Sequence, residues 1–305
     1  MSGPDGRNVT ELLRIGPEVQ QALHEGHPVV ALETTLISHG FPPGVGVEVG
    51  LAAESAVRSA GAVPATIGVL DGAVAVGLAA DELERFGEAG AGARKAGPRD
   101  LAACAMQGAI GATTVGGTLA VCRLAGIRFL GTGGIGGVHR GFAERPDVSA
   151  DMTELARTPA LVVGSGAKSL LDVPATAEAL ETLGVPVLGY RTDELPLFYA
   201  AAGGPPVSAR VESPEEAARI AHAHWQLGGA GLLLGNPPEH GVDVEPLIEE
   251  GLAAATTQGV TGQAVTPFVL AFLHERSGGR TLEVNRELIV ANAGLAAEVA
   301  AATRS

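Results

Sequence analysis

Lysine is nearly absent from this 305-residue chain. Of its 20 basic residues, 18 are arginine, and only Lys95 and Lys168 are lysine. A guanidinium stays charged under all physiological conditions, whereas an amine can lose its proton. A chain that uses arginine almost everywhere keeps lysine where amine chemistry or a compact ammonium is needed. The alternative is compositional drift that happened to leave two surface lysines. Aromatic residues are also scarce, at 3%, with one Trp and two Tyr. They leave little material for stacking nucleic-acid bases. Net positive charge is missing altogether, because the formal charge is −14. Such a balance excludes general affinity for a phosphate backbone, which requires a basic surface. A small anionic substrate stays open, since a local cluster of donors can hold a phosphate on an acidic protein. The two cysteines, Cys104 and Cys122, form no CxxC pair and lie among apolar residues, so buried free thiols are expected. No apolar run is long enough to span a bilayer. The polar start MSGPDGRNVTELLRIG carries no apolar signal core. The expectation is a cytoplasmic protein with no membrane or nucleic-acid partner.

What the chain does contain is 46% hydrophobic residues and 44 glycines, enough for a large core with many turns. Apolar runs alternate with amphipathic stretches. Strands are predicted at 28–33, 65–69, 73–77, 127–131, 161–163, 185–188 and 231–234. Helices are predicted at 47–60, 98–108, 118–124, 169–183, 213–227, 244–257, 267–276 and 282–303. This alternation implies an α/β fold, a three-layer α/β/α arrangement around a largely parallel central sheet. No repeat, linker or domain break interrupts it, so residues 1–305 read as one catalytic domain. Ligands of such folds bind outside the carboxyl ends of the strands.

The loops after the strands carry the candidate chemistry. Glu33 ends the first strand, where a general acid would sit, and partial burial would keep it protonated. A solvated strand-end carboxylate is the plain alternative. Gly131-Thr-Gly-Gly-Ile-Gly-Gly137 contains a GxGxxG, but the residues after it have no helical period, which argues against a dinucleotide site. The loop can still offer amides to a phosphate, with His139 and Arg140 adding donors and charge; otherwise it is merely flexible. Asp147-Val-Ser-Ala-Asp151 can hold a hard divalent cation through few ligands and several waters. Alternatively, Asp151 and Glu154 form a capping box for a helix over 152–157. Lys168 sits in Gly-Ser-Gly-Ala-Lys-Ser-Leu-Leu, at a strand-to-helix turn among apolar neighbours. A helix amino terminus and desolvation both push an amine toward the neutral form that a Schiff-base lysine needs. Asn292 interrupts the last helix and either reaches into a site or lies on a solvated face.

Taken in order, these segments resemble the pseudouridine-5′-phosphate glycosidases. The carrying stretches are ALETTLISHG, VPATIGVLDG, KAGPRDL, GATTVGGT, GTGGIGGVHRG, DVSADMTEL, GAKSLLD and LGYRTDELPLFY, supported by GNPP and VTPF. The resemblance spans about residues 30–300. It implies a carbon–oxygen lyase class enzyme that interconverts pseudouridine 5′-phosphate with uracil and ribose 5-phosphate. It also implies Glu33 as proton donor and Lys168 as nucleophile. Lys95, Val115 and the Ser149–Ala150–Asp151 stretch would contact the substrate, Asp147 would hold one manganese ion (Mn2+) per subunit, and the protein would be a homotrimer. His139, Arg140 and Asn292 complete the expected substrate contacts. Three departures stand out. The segment after His39-Gly40 is Phe-Pro-Pro-Gly-Val-Gly rather than an Asn-bearing one. Glu-Thr-Thr replaces Glu-Ser-Thr, and Ser165 stands where a Cys is common. The altered 41–46 loop leaves room for a related C-glycosidase acting on another base or sugar phosphate. A silent sugar-phosphate-binding module is a third reading.

Overall fold

The computed structural model describes residues 12–144, 146–260 and 265–303, so most of the polar amino-terminal stretch read above lies outside the described residues. The first half of the chain runs β1 (Leu13–Ile15), α1 (Pro17–His24), β2 (Val29–Glu33), α2 (Thr35–His39), α3 (Val45–Ser59), β3 (Val63–Leu70), β4 (Ala73–Val76) and α4 (Ala80–Ala89). It continues through β5 (Arg94–Ala96), α5 (Leu101–Met106), β6 (Gly111–Thr113), α6 (Val115–Ala125) and β7 (Phe129–Gly131). After the glycine-rich loop come α7 (Ala150–Leu155), β8 (Leu161–Gly164), α8 (Val173–Thr182), β9 (Val187–Tyr190) and β10 (Ala209–Val211). The chain closes with α9 (Pro214–Gln226), β11 (Leu232–Gly235), α10 (Glu245–Thr257), α11 (Val265–Arg276) and α12 (Arg280–Ala302).

Among the described residues, eleven strands join one sheet, ordered β1-β4-β3-β2-β7-β8-β11-β9-β10, with β6 also on β3 and β5 on β6. Only the β3–β4 and β3–β6 pairs are antiparallel. The centre, β3-β2-β7-β8-β11-β9, is parallel throughout. Its strands are apolar on both sides because each side is covered. Val30 and Leu32 of β2, with Leu161 and Val163 of β8, face one core, which α3, α9, α10 and α12 cover. Their neighbours Ala31 and Val162 face the other core, which α1, α5, α6 and α7 cover. Side chains that alternate along a strand thus feed two separate cores, and the result is the expected three-layer α/β/α arrangement.

Three boundaries differ from the sequence expectation in ways that matter. The helix after Lys168 starts at Val173, not at 169. Asp172 caps it, accepting from the Ala175 amide. Residues before the cap are drawn instead onto the neighbouring loop, through Lys168 N to Ile135 O at 3.0 Å and Asp172 N to Val138 O at 2.9 Å. The helix expected at 152–157 starts at Ala150 with Ser149 as its cap, so Asp151 is not the cap. Likewise α6 begins at Val115, ahead of the predicted 118. Thr114 caps it by accepting from Gly117 N, which overrides the poor helix propensity of Gly116 and Gly117.

Candidate active site

Four residues from four separate stretches of the chain gather near the carboxyl ends of the central strands. Glu33 is the last residue of β2 and is 4% exposed. Lys95 lies on β5, Asp151 in the first turn of α7, and Lys168 in the loop after β8. Glu33 feels the charges of Lys168, Asp151 and Lys95, and Lys95 in turn feels Lys168, Asp151 and Glu33. Burial raises the Glu33 carboxyl above its ordinary pKa. Lys168, the Thr132 hydroxyl and Lys95 oppose the rise, and Asp151 adds to it. The plain alternative, a solvated strand-end carboxylate, does not describe this residue. Lys95 is solvent-accessible, yet crowding of its ammonium lowers its pKa. Repulsion from Lys168 lowers it further, against the pull of Asp151 and Glu33.

Around this quartet the glycine-rich loop is closely packed rather than loose. Asp151 is 3% exposed and its carboxylate ties two backbones, accepting from Gly116 N at 2.7 Å and Gly136 N at 2.8 Å. Gly116 belongs to the first turn of α6, so the charge sits at the amino ends of α6 and its own helix, where a carboxylate is favoured. A Cβ at Gly136 would stand 2.3 Å from Ser149 Oγ and 2.9 Å from Asp151 Oδ2. Glycine is needed there for close approach, not for flexibility. Several amides of this loop already have partners: Thr132 N on Val163 O, Ile135 N on Gly166 O, and Val138 N on the Thr176 hydroxyl. The stretch is therefore not an open phosphate cradle, and no helix follows it before Ala150, so it is not a dinucleotide fingerprint.

The remaining candidates divide. Val115 opens α6 beside the Asp151 clamp and is fully buried, while Ser149 caps α7 and Ala150 is its first residue. Asn292 is fully buried, which overturns the solvated-face alternative. Its Nδ2 donates to Thr132 O at 2.8 Å and Ser165 Oγ at 3.1 Å, and its Oδ1 accepts from Asn236 Nδ2 at 2.9 Å. It braces the ends of β7, β8 and β11. Arg140 bonds the Glu245 carboxylate and the Ser169 and Leu171 carbonyls, so its guanidinium is engaged within the protein. His139 donates its amide to Asp147 O. Asp147 is exposed, and among the described residues no three of His, Cys, Asp and Glu gather as a metal cluster.

Two participants were not singled out from the sequence. Thr132 donates its hydroxyl to Glu33 Oε1, though it stands inside the glycine-rich motif already noted. His39 closes α2, with its Nε2 buried and without a hydrogen-bond partner; burial first and the Lys95 charge second lower its pKa. Its place six residues after Glu33 was the only available signal. Both cysteines are free and buried, as expected.

Residues 18–302 match the family described as indigoidine synthase A like protein. A pseudouridine-5′-phosphate glycosidase of Sorangium cellulosum is 46% identical over 97% of this chain and 95% of its own length. That of Escherichia coli is 45% identical over 95% of each. Among solved structures, the prealnumycin C-glycosynthase AlnA in complex with ribulose 5-phosphate superimposes with a TM-score of 0.88. It is 43% identical and covers 96% of this chain and 97% of its own. An indigoidine synthase A-like protein of Thermotoga maritima gives 0.85 at 37% identity, with 97% of both chains covered. By sequence over nearly its whole length and by fold, the chain belongs to the pseudouridine-5′-phosphate glycosidase family.

Proposed function

We propose that this protein reversibly cleaves the C-glycosidic bond of pseudouridine 5′-phosphate, consuming water and yielding uracil and ribose 5-phosphate, through a Schiff base on Lys168. The observation that carries the reading is the convergence of a buried Glu33, whose pKa burial raises, with both lysines of the chain. The bond to be broken joins two carbons, so the oxygen-protonating pair of carboxylates of ordinary glycosidases does not suffice. Glu33 protonates the ring oxygen O4′ as the ribose opens. The amine of Lys168 bonds to C1′ as the C1′–O4′ bond breaks. The open-chain adduct then expels uracil, which leaves with a proton at its former glycosidic carbon. Water hydrolyses the resulting iminium and restores the amine. Arginine cannot form this adduct, which accounts for a lysine at 168 in an arginine-rich chain. Lys95, as an ammonium, holds the substrate's phosphate with the Val115 amide and the Ser149–Asp151 turn. Asn292 acts through the loops it braces.

A manganese ion at Asp147 belongs to the same reading. One exposed carboxylate suits a hydrated divalent cation whose other ligands are water and substrate. When bound, the ion would add positive charge beside the phosphate. A cytoplasmic homotrimer completes the proposal. No helix among the described residues is long and apolar enough to cross a membrane.

Borohydride reduction in the presence of ribose 5-phosphate tests the central step. The adduct is expected on Lys168, and Lys168→Ala should abolish both trapping and turnover. Labelling elsewhere, or an active enzyme that never traps, sinks the mechanism. A second reading is a C-glycosidase for another base or sugar phosphate. It is favoured by the altered 41–46 loop and by the 43% identity to a C-glycosynthase crystallised with ribulose 5-phosphate. Turnover of other C-nucleotides, with pseudouridine 5′-phosphate left intact, would select it. A silent binding module would bind ribose 5-phosphate unchanged in Lys168→Ala and never turn over.

A further inference from the structure

We propose that Arg140 is a positioning residue for Lys168, locked in that role by Glu245, and not a ligand of the substrate's phosphate. The inference rests on the reading of Lys168 as nucleophile. It begins from the setting of that lysine. Helix α8 starts only at Val173, so no regular hydrogen-bond ladder fixes Lys168. What holds it is a tight turn in which Leu171 N donates to Lys168 O at 3.0 Å. Arg140 grips that turn by two carbonyls, with Nε to Leu171 O at 3.3 Å and NH2 to Ser169 O at 3.2 Å. The outer edge of the same guanidinium meets Glu245 at the start of α10, NH1 to Oε1 at 2.6 Å and NH2 to Oε2 at 2.9 Å. The planar fork is thus engaged on both edges, a geometry that an ammonium cannot copy. From the other side Ser169 Oγ donates to Leu197 O at 2.9 Å, and Lys168 N donates to Ile135 O at 3.0 Å. The lysine's backbone is pinned from three directions, and Arg140 is the one of the three that reaches it from a charged pair.

The pair is part exposed, with side chains 33% and 51% accessible. Its own contribution to stability is therefore small. Its effect on chemistry is larger, because a misplacement of about 1 Å at a reacting group costs on the order of 100-fold in rate. Loss of the clamp should thus be a loss of rate with the fold kept.

The test uses the full-length protein, Arg140→Lys, Glu245→Gln and the double variant. It reads kcat, KM for ribose 5-phosphate in the synthetic direction, the rate of borohydride trapping on Lys168, and melting temperature. Each single variant is expected to lose about 10-fold or more in kcat and in trapping rate, with KM within about 2-fold of wild type. The double variant should be no slower than Arg140→Lys alone, since both changes break one clamp. Melting temperatures should stay close to wild type. The proposal is overturned if Arg140→Lys raises KM about 10-fold at unchanged kcat while Glu245→Gln is silent or lowers KM, the pattern of a phosphate ligand. Wild-type trapping that persists at full rate in both single variants overturns it alone. If the wild type never traps on Lys168, the Schiff-base reading falls and this proposal with it.

Discussion

Glu33 and Lys95 show how a few ångströms of environment give two ordinary side chains unusual proton affinities. The Glu33 pKa is raised in the folded state, chiefly by burial. The stability this carboxyl contributes is therefore whole below its unfolded pKa and is lost as pH rises through the folded value. Glu33→Gln removes that loss. Melting curves should show the variant more stable than wild type at pH 8 and equal to it near pH 4, while kcat falls about 10²–10⁴-fold through loss of the acid. Lys95 is shifted the other way, by crowding first and Lys168 second. Its ammonium is lost at lower pH than that of a surface lysine. KM for ribose 5-phosphate should thus climb on the alkaline side before ordinary lysine titration, and Lys95→Ala should abolish that limb of the pH profile. Glu33 and Lys168 were legible in the sequence, one by its strand end and one by its rarity. Of the two local features expected around Lys168, the amino end of a helix is absent, because that helix starts at Val173, four residues after the expected 169.

At the scale of elements, the decisive contact is the Asp151 clamp between the amino ends of α6 and α7. Its partners Gly116 and Gly136 lie 35 and 15 residues away along the chain. Local pattern alone therefore left Asp151 between a cation ligand and a cap, and Ser149 supplies the cap. Asp151→Asn would turn an amide nitrogen toward one of the two backbone donors. It should destabilise the protein by about 2–3 kcal/mol, as expected for a charge-assisted bond lost in a buried place, and urea unfolding would measure it. Gly136→Ala places a methyl against Ser149 and Asp151, so the loop must move. Turnover should drop while Lys95→Ala-type weakening of KM is a separate, distinguishable effect.

Across the whole molecule, α12 lies over the parallel centre of the sheet, where Asn292 links the ends of β7, β8 and β11. The bond from Asn292 to Thr132 spans 160 residues, and Thr132 in turn holds Glu33. Asn292→Ala should cost about 2–4 kcal/mol in denaturant unfolding by leaving buried partners unmet, and it should also slow turnover. Burial raises the Cys122 thiol, and Cys104 is buried too, so a thiol reagent should label both cysteines only after unfolding. The sequence by itself determined the layered α/β plan, because apolar runs alternating with amphipathic stretches can bury themselves in few other ways. It also singled out Glu33 and Lys168 as candidates, because strand-end placement and the scarcity of lysine are local and compositional facts. Only the tertiary structure decided which loops touch. It placed Thr132 on Glu33, Asp151 on the amino end of α6 and the glycine-rich loop, Asn292 at the ends of three strands, and Arg140 on the turn that follows Lys168. Those partners are distant in sequence, and nothing in local periodicity encodes a hydrogen bond across such separations.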